Sequence, residues 1–215
     1  MLPQTKVRLG ALSWLFAIQF FLAQLIAQAA WTTPYSLATN YISDLGNTVC
    51  GPYPAESSTY VCSPWHAWMN ASFILLGLSI LLGAALIRRA FPPGRISALG
   101  LALVALAGAG AILVGLFPEN VDISVHALGA GAQFVSGNLG MLVLGIALGA
   151  AGRPVWLAGY SIGSGLAGLL ATWLFVAGQY LGLGIGGMER VAAYPLPLWM
   201  IVVGVALERG LRIRE

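Results

Sequence analysis

The segment ISALGLALVALAGAGAILVGLF, residues 96–117, contains no charged residue and decides the fold class. A helix needs about 20 apolar residues to cross a bilayer, and this segment has that length. The whole chain has the same character, because 59% of its 215 residues are hydrophobic and 8% are charged. Its mean hydropathy is +0.86. Soluble domains carry about 25% charged residues, so this composition excludes one and indicates a protein surrounded by lipid.

Similar apolar runs recur along the chain and predict a bundle of membrane-spanning helices. In lipid every backbone N–H and C=O must be paired within the protein, which leaves helices or closed barrels. The runs are too long for the alternating ten-residue strands of a barrel. We therefore predict one all-α transmembrane domain over residues 1–215, with a long loop at 32–64. The six predicted spans are 9–31, 65–87, 96–117, 125–150, 155–181 and 191–207.

The charges separate to the two ends of these spans. Nine of the ten Lys and Arg residues fall on the side of both termini, namely Lys6, Arg8, Arg88, Arg89, Arg95, Arg153, Arg209, Arg212 and Arg214. Five of the seven acids fall on the opposite side, namely Asp44, Glu56, Glu119, Asp122 and Glu189. Basic loops stay in the cytoplasm, so we expect cytoplasmic termini and an extracytoplasmic 32–64 loop in an inner or plasma membrane. The scattered basic residues predict no nucleic-acid partner.

The first apolar run also has features of a secretory signal peptide. A basic segment precedes it, and residues 27–29 (AQA) resemble a cleavage site with small residues. The run is longer than the 7–15 apolar residues that are usual in signal peptides. We therefore expect a retained helix.

The only two cysteines, Cys50 and Cys62, lie in the 32–64 loop. An extracytoplasmic loop is in an oxidising compartment, so we predict a disulfide. It would stabilise the fold by about 3 kcal/mol through loop entropy. Two free thiols are the alternative, and the spacing differs from that of a redox CxxC motif.

Polar side chains gather near the predicted outer ends of several spans. His66 and Asn70 are four residues apart, and His126 and Gln133 are seven apart, so each pair shares one helix face. Further charged candidates at the bundle mouth are Asp44, Glu119, Glu189 and Arg190. Ionisable groups at membrane depth usually face the interior, form pairs or mark a site. The pattern predicts an outward-facing polar cavity.

Structural roles for the same residues remain open. Asp44 either caps a short helix or points back into the bundle mouth. Glu189 and Arg190 are adjacent, and we expect them to form an ion pair. Glu56 and Asp122 are expected to be solvated surface acids.

Small residues spaced four apart predict which helices pack closely. They occur as Gly159 with Gly163 and as Ser161 with Gly165 in the fifth predicted span, and the fourth contains a similar series. Such spacing lets helix backbones approach each other in lipid. We expect the fourth and fifth helices to be central in the bundle.

Several short motifs together resemble those of a known family. They are NYISDLG (40–46), FPEN (117–120), HALG (126–129) and GMER (187–190), followed by Tyr194-Pro195 and Trp199. In this order they resemble the "domain of unknown function 998" (DUF998) family of prokaryotic integral membrane proteins. The resemblance implies a six-span membrane protein and highlights Asp44, Glu119, His126, Glu189 and Arg190, but it supplies no reaction.

Four functions are compatible with these residues. The first is an enzyme that modifies a lipid or small molecule, with His126 as base or metal ligand and with Asp44 and Glu119 as its partners. The second is a carrier or binding protein for such a molecule, contacted through Glu189, Arg190, Gln133, His66 and Asn70. The third is a haem protein with His66 and His126 as ligands, and the fourth is a structural accessory protein. The sequence leaves the metal, the cofactor and the oligomeric state open.

Overall fold

The computed structural model describes residues 3–55, 59–152 and 154–209. Glu56, Arg153, Arg212 and Arg214 lie outside these ranges. The elements in chain order are α1 (Pro3–Leu15), α2 (Ile18–Ala29), a 3-10 turn (Ser43–Gly46), β1 (Gly51–Pro52), β2 (Tyr60–Val61), α3 (His66–Ile87), a 3-10 turn (Arg88–Ala90), α4 (Arg95–Leu116), α5 (Ile123–Gly131), a π turn (Ala132–Ser136), α6 (Gly137–Ala150), α7 (Val155–Val176), α8 (Gly184–Ala193) and α9 (Pro195–Glu208).

Six segments are long and apolar enough to cross a membrane, as the sequence predicts. They are Gln4–Ala29, His66–Ala90, Arg95–Leu116, Ile123–Ala150, Val155–Val176 and Gly184–Glu208. The fifth span ends at Val176 rather than at residue 181, and the sixth begins at Gly184 rather than at residue 191. Gly178, Gly182 and Gly184 all adopt positive φ angles, which glycine reaches at little cost. The chain turns there, and α8 then forms an extra helical segment before Pro195.

The first and last spans meet at the end of the bundle that carries the termini. Arg8 and Glu208 form an ion pair there, with 3.4 Å between Nε and Oε2. Three aromatic side chains fill the core nearby. Trp14 lies 5.1 Å from Trp199 and 6.5 Å from Phe91 between ring centroids. Packing of these rings therefore links the first and sixth spans to the loop between the second and third.

Glycines allow the central helices to touch through their backbones. A Cβ at Gly77 would lie 2.4 Å from the carbonyl oxygen of Gly108, and one at Gly110 would lie 2.4 Å from that of Gly129. The second, third and fourth spans therefore pack at distances that a larger residue would prevent. This close packing offers dispersion contacts, which are the main drive to helix association in lipid.

The expectation for the small residues holds for the fourth span and is wrong for part of the fifth. The fourth span is the most buried of the six, and the fifth is the least buried. Ser161 and Gly165 face the bundle, whereas Gly159 and Gly163 lie on an exposed face. The reason is helical geometry, because the two pairs are offset by two residues, or about half a turn.

The 32–64 loop contains the predicted disulfide. Cys50 and Cys62 are bonded to each other at the base of the short antiparallel pair of β1 and β2. The disulfide closes this hairpin, and the Tyr53 hydroxyl holds it against the bundle by donating to the backbone carbonyl of Glu119 at 2.8 Å.

Candidate functional site: a polar cleft beneath the long loop

Residues 35–47, called the loop segment below, fold into the end of the bundle rather than extending away from it. Its central residues, 42–47, are all buried. Asn70 of α3 donates a hydrogen bond to the carbonyl of Gly46 at 2.9 Å, and Ser63 donates to that of Leu45 at 2.7 Å. Buried backbone groups need such partners, so these side chains make the docked position favourable.

Arg190 holds the other half of the loop segment. Its Nη1 donates to the carbonyls of Asn40 at 2.9 Å, Leu37 at 3.2 Å and Gly186 at 2.8 Å. Its Nη2 donates to the hydroxyl of Tyr35. Arg190 is 7% exposed, and these carbonyl dipoles stabilise its buried charge. Arg190 therefore acts as a clamp on the backbone of the loop segment.

Glu189 contacts the same segment at a different point. Its carboxylate accepts a hydrogen bond from the backbone N–H of Ile42 and another from that of Ser43. The expected ion pair with Arg190 is wrong, because these two side chains form no contact within 4 Å. Neighbouring residues on a helix point about 100° apart, which separates their charged ends.

Asp44 and Glu119 form a buried pair of carboxyl groups. Asp44 accepts hydrogen bonds from the side chain of Asn40 at 3.0 Å and from the backbone N–H of Tyr41 at 2.9 Å. Glu119 accepts from the hydroxyl of Ser43 at 2.7 Å and from the amide of Asn47 at 3.1 Å. The two carboxyls also hydrogen bond to each other. The capping alternative for Asp44 is therefore wrong, because no side chain caps the Ser43–Gly46 turn and Asp44 binds the N–H of Tyr41 before it. The carboxyl group lies instead in the bundle mouth beside Glu119.

Burial decides which form these carboxyls take. Desolvation, together with the charge of Asp44 and the hydrogen bond to it, raises the pKa of Glu119 to about 9. Desolvation also raises the pKa of Asp44, against the hydrogen bonds from Glu119 and Asn40 that lower it. Glu119 therefore keeps its proton at neutral pH and donates it in a hydrogen bond to Asp44.

His126 lies near Glu119 but is oriented by a different group. Its Nδ1 hydrogen bonds to the backbone carbonyl of Phe117 at 2.9 Å, and its side chain is buried. A carbonyl can only accept, so Nδ1 carries the proton and the other ring nitrogen is the acceptor in the neutral ring. The expectation that Asp44 or Glu119 orients His126 is therefore wrong, since the end of α4 performs this role.

A cleft of about 580 Å³ opens where these groups meet. Its floor is polar and includes Ser43, Glu119, His126 and Glu189. Its walls are mainly apolar and aromatic, and they consist of Tyr41, Tyr53, Pro54, Asn120, Val121, Ile123, Ala127, Ala130, Phe134 and Phe175. Ligand sites typically have volumes of about 300–1,000 Å³ and combine apolar walls with a few polar groups.

A small cavity of about 20 Å³ continues beneath the cleft. The residues that line both spaces are Ser43, His126, Ala130, Phe134 and Glu189. Gln133 lines the small cavity from the π turn. The sequence prediction that His126 and Gln133 share a face is consistent with this placement. Arg190 lines neither space, because its guanidinium is directed at the loop segment.

His66 and Asn70 do not reach the cleft. His66 hydrogen bonds through Nδ1 to the carbonyl of Ser63 at 2.9 Å, and Asn70 is engaged with Gly46. Within the described ranges, no group of three His, Cys, Asp or Glu side chains is placed to hold a metal ion. A haem between His66 and His126 does not fit either, since only His126 lines the cleft.

Sequence reasoning missed most of the cleft walls. The sequence could have predicted Phe134, because His126, Ala130 and Phe134 are spaced four apart and share a helix face. Tyr41 lies inside a motif that the sequence analysis singled out. No sequence pattern predicted Tyr53 and Phe175, since only the folded hairpin and the end of α7 bring them to the cleft.

Comparison with known families agrees with this architecture. Residues 15–206 match the family described as "Protein of unknown function (DUF998)". The chain belongs to the DUF998 family. The match includes the loop segment and every residue that lines the cleft. No curated protein and no solved structure matches the chain. As a DUF998 member with six apolar spans, it is a multi-pass membrane protein.

Proposed function

We propose that this DUF998 protein binds the polar end of an amphiphilic molecule, a lipid or a lipid-like compound, in the cleft. The observation that carries the proposal is the pairing of a polar floor with an apolar wall at the edge of the bundle. Val121 and Ile123 line the cleft and are also 61% and 57% exposed. A ligand's apolar chain can therefore leave the cleft along these residues and enter the surrounding lipid. The charge distribution supports an extracytoplasmic position for this end of the bundle.

The floor of the cleft is held in place before any ligand arrives. Ser43, Glu119 and Glu189 are each fixed by hydrogen bonds to the loop segment or from it. A preorganised site avoids the entropic cost of ordering side chains on binding. The contacts of Arg190 and Asn70 thus support the site, although neither residue touches the cleft.

The proposal is tested by identifying the molecules that co-purify with the protein. Native mass spectrometry of the full chain in a neutral detergent would detect them. Ala130→Trp fills the base of the cleft, so we expect the bound molecules to be lost. Leu128→Trp is the matched control, because Leu128 is on the same helix, is 67% exposed and does not line the cleft. Equal retention of the same molecules by both variants would contradict the proposal.

A second function, acid–base catalysis on the bound molecule, is favoured by one further observation. Glu119 retains a proton at neutral pH and His126 has a fixed tautomer, and both line the same cleft. In a hydrolysis, His126 would accept a proton from the attacking water and Glu119 would donate one to the leaving group. Asp44 would position the proton of Glu119.

This second proposal has its own measurement. The purified protein would be incubated with a total membrane lipid extract, and new products would be followed by mass spectrometry. We expect products that disappear in both His126→Asn and Glu119→Gln and persist in Asp122→Asn. Products that form equally well in all variants, or in none including the wild type, would refute catalysis while leaving binding intact.

A further inference from the structure

The charges around the cleft do not balance. Three buried carboxyl groups, those of Asp44, Glu119 and Glu189, gather around one buried cation, Arg190. Ionisation of any two of these carboxyl groups exceeds the single positive charge of Arg190. An excess of negative charge in a poorly solvated site is costly, so the site favours a ligand that supplies positive charge.

The residues that line the cleft also favour a positively charged ligand. Glu119 and Glu189 line the cleft, and no Lys or Arg is among its described lining residues. The guanidinium of Arg190 is occupied by hydrogen bonds to Leu37, Asn40 and Tyr35 and does not line the cleft. An anionic head group would meet carboxylates without a compensating cation.

Aromatic rings supply the rest of the lining. Tyr41, Tyr53, Phe134 and Phe175 all contribute to the cleft. The faces of aromatic rings attract cations, and sites for quaternary ammonium groups are commonly built from such rings. Desolvation and the charge of Glu119 raise the pKa of Tyr53 to about 12, so this ring remains a neutral phenol.

We infer that the cleft selects amphiphiles with a positively charged amine or quaternary ammonium head, which lies between Glu119 and Glu189 among these aromatic rings. This inference rests on the proposed binding function and adds the charge of the ligand to it. The ligand's apolar part follows the wall formed by Val121 and Ile123.

Cation binding is coupled to the proton of the carboxyl pair. A positive charge beside Glu119 favours its ionised form, so binding releases the proton and strengthens as the pH rises. The ionisable groups around Glu119 are Asp44 and Tyr41 of the loop segment, Tyr53 of the hairpin, His126 of α5, and Glu189 and Arg190 of α8. Glu119→Gln removes the proton that binding would release, so comparison with the wild type measures how much this proton contributes to the pH dependence of binding.

The test compares two ions of nearly equal size and opposite charge, tetraphenylphosphonium and tetraphenylborate. Binding to the full chain in a neutral detergent would be measured by equilibrium dialysis between pH 6 and 9, with Ala130→Trp subtracting uptake by micelles. We expect saturable binding of the cation alone, with an affinity that rises with pH. Glu119→Gln should bind at least tenfold more weakly at pH 9 and show a smaller rise in affinity with pH than the wild type, and Asp122→Asn should behave as wild type.

Competition identifies the head group and the chain. Dodecyltrimethylammonium should displace tetraphenylphosphonium, and tetramethylammonium should not do so at the same concentration, because it lacks the chain. The molecules that co-purify with the wild type then distinguish a membrane lipid from a soluble amine.

The outcomes separate this inference from the binding function on which it rests. If both ions bind equally, or only tetraphenylborate binds, and Ala130→Trp abolishes that binding, the cleft remains a binding site and the inferred charge is wrong. If the wild type shows no saturable binding of tetraphenylphosphonium, the inference is also overturned. The binding function itself would be refuted if the wild type carried no co-purified molecules that Ala130→Trp loses.

Discussion

Glu119→Gln should stabilise the protein at alkaline pH, because Glu119 is forced to keep its proton in the folded state. Its pKa is raised from an ordinary 4.5 to about 9 by burial and by Asp44. Glutamine imitates the protonated form of Glu119. The Ser43 hydroxyl, which donates to Glu119 in the wild type, can rotate to accept a hydrogen bond from the glutamine amide. The substitution therefore removes a titration while keeping the shape of the site.

The sign and size of the effect follow from proton linkage. A carboxyl whose pKa is raised by folding contributes stability that is fully present below pH 4.5 and is lost as the pH rises towards 9. Each pH unit within that window costs about 1.4 kcal/mol, so the loss reaches roughly 5 kcal/mol at pH 8. The side chain is 6% exposed, so solvent screening reduces this little. The variant should avoid this loss, which corresponds to a gain in Tm on the order of 10 °C for a chain of this length.

Thermal unfolding of both proteins in a neutral detergent, followed by tryptophan fluorescence from pH 5 to 9, measures the effect. The difference in Tm between variant and wild type should be small at pH 5 and grow with pH. Asp122→Asn is the control, because Asp122 caps α5 through the backbone N–H groups of Ser124 and Val125 and lies outside the carboxyl pair. A difference that stays constant from pH 5 to 9 would refute the protonated state of Glu119.

Three other perturbations test the fold around the site. Arg190→Met should release the loop segment at a cost of about 1–3 kcal/mol for each buried carbonyl left unpaired, because the carbonyls of Leu37, Asn40 and Gly186 lose their donor; hydrogen exchange at the amide of Ile42 should accelerate, and unchanged protection would show that the clamp is dispensable. Gly110→Ala should lower the Tm by overpacking the contact with the fourth span, at about 1–3 kcal/mol, whereas Gly131→Ala should not, since a Cβ there meets open space; equal effects would contradict the close approach. The two cysteines should react with a membrane-impermeant maleimide on intact cells only after reduction; labelling that requires permeabilisation would overturn the predicted orientation.

The polar cluster that the sequence singles out performs two tasks in the folded protein. Arg190, Asn70 and Asp44 hold the loop segment, as a structural role requires. His126 and Glu119 line the cleft. Glu189 does both, since it accepts from Ile42 and also lines the cleft. The clamp and the cleft are therefore parts of one arrangement, and the loop segment provides the floor.

The sequence by itself determined the membrane class, the six spans, the disulfide and which polar residues gather at one end. These properties depend on local length, hydropathy and spacing, which a bilayer selects directly. Only the tertiary structure decided that Arg190 binds backbone carbonyls rather than Glu189, that Phe117 rather than a carboxylate orients His126, and that Gly159 faces outward. Each of these depends on contacts between residues far apart in the chain, or on the rotation of a helix about its axis. In lipid, a hydrophobic sequence pattern does not specify that rotation, because the surroundings of the bundle are as apolar as its interior.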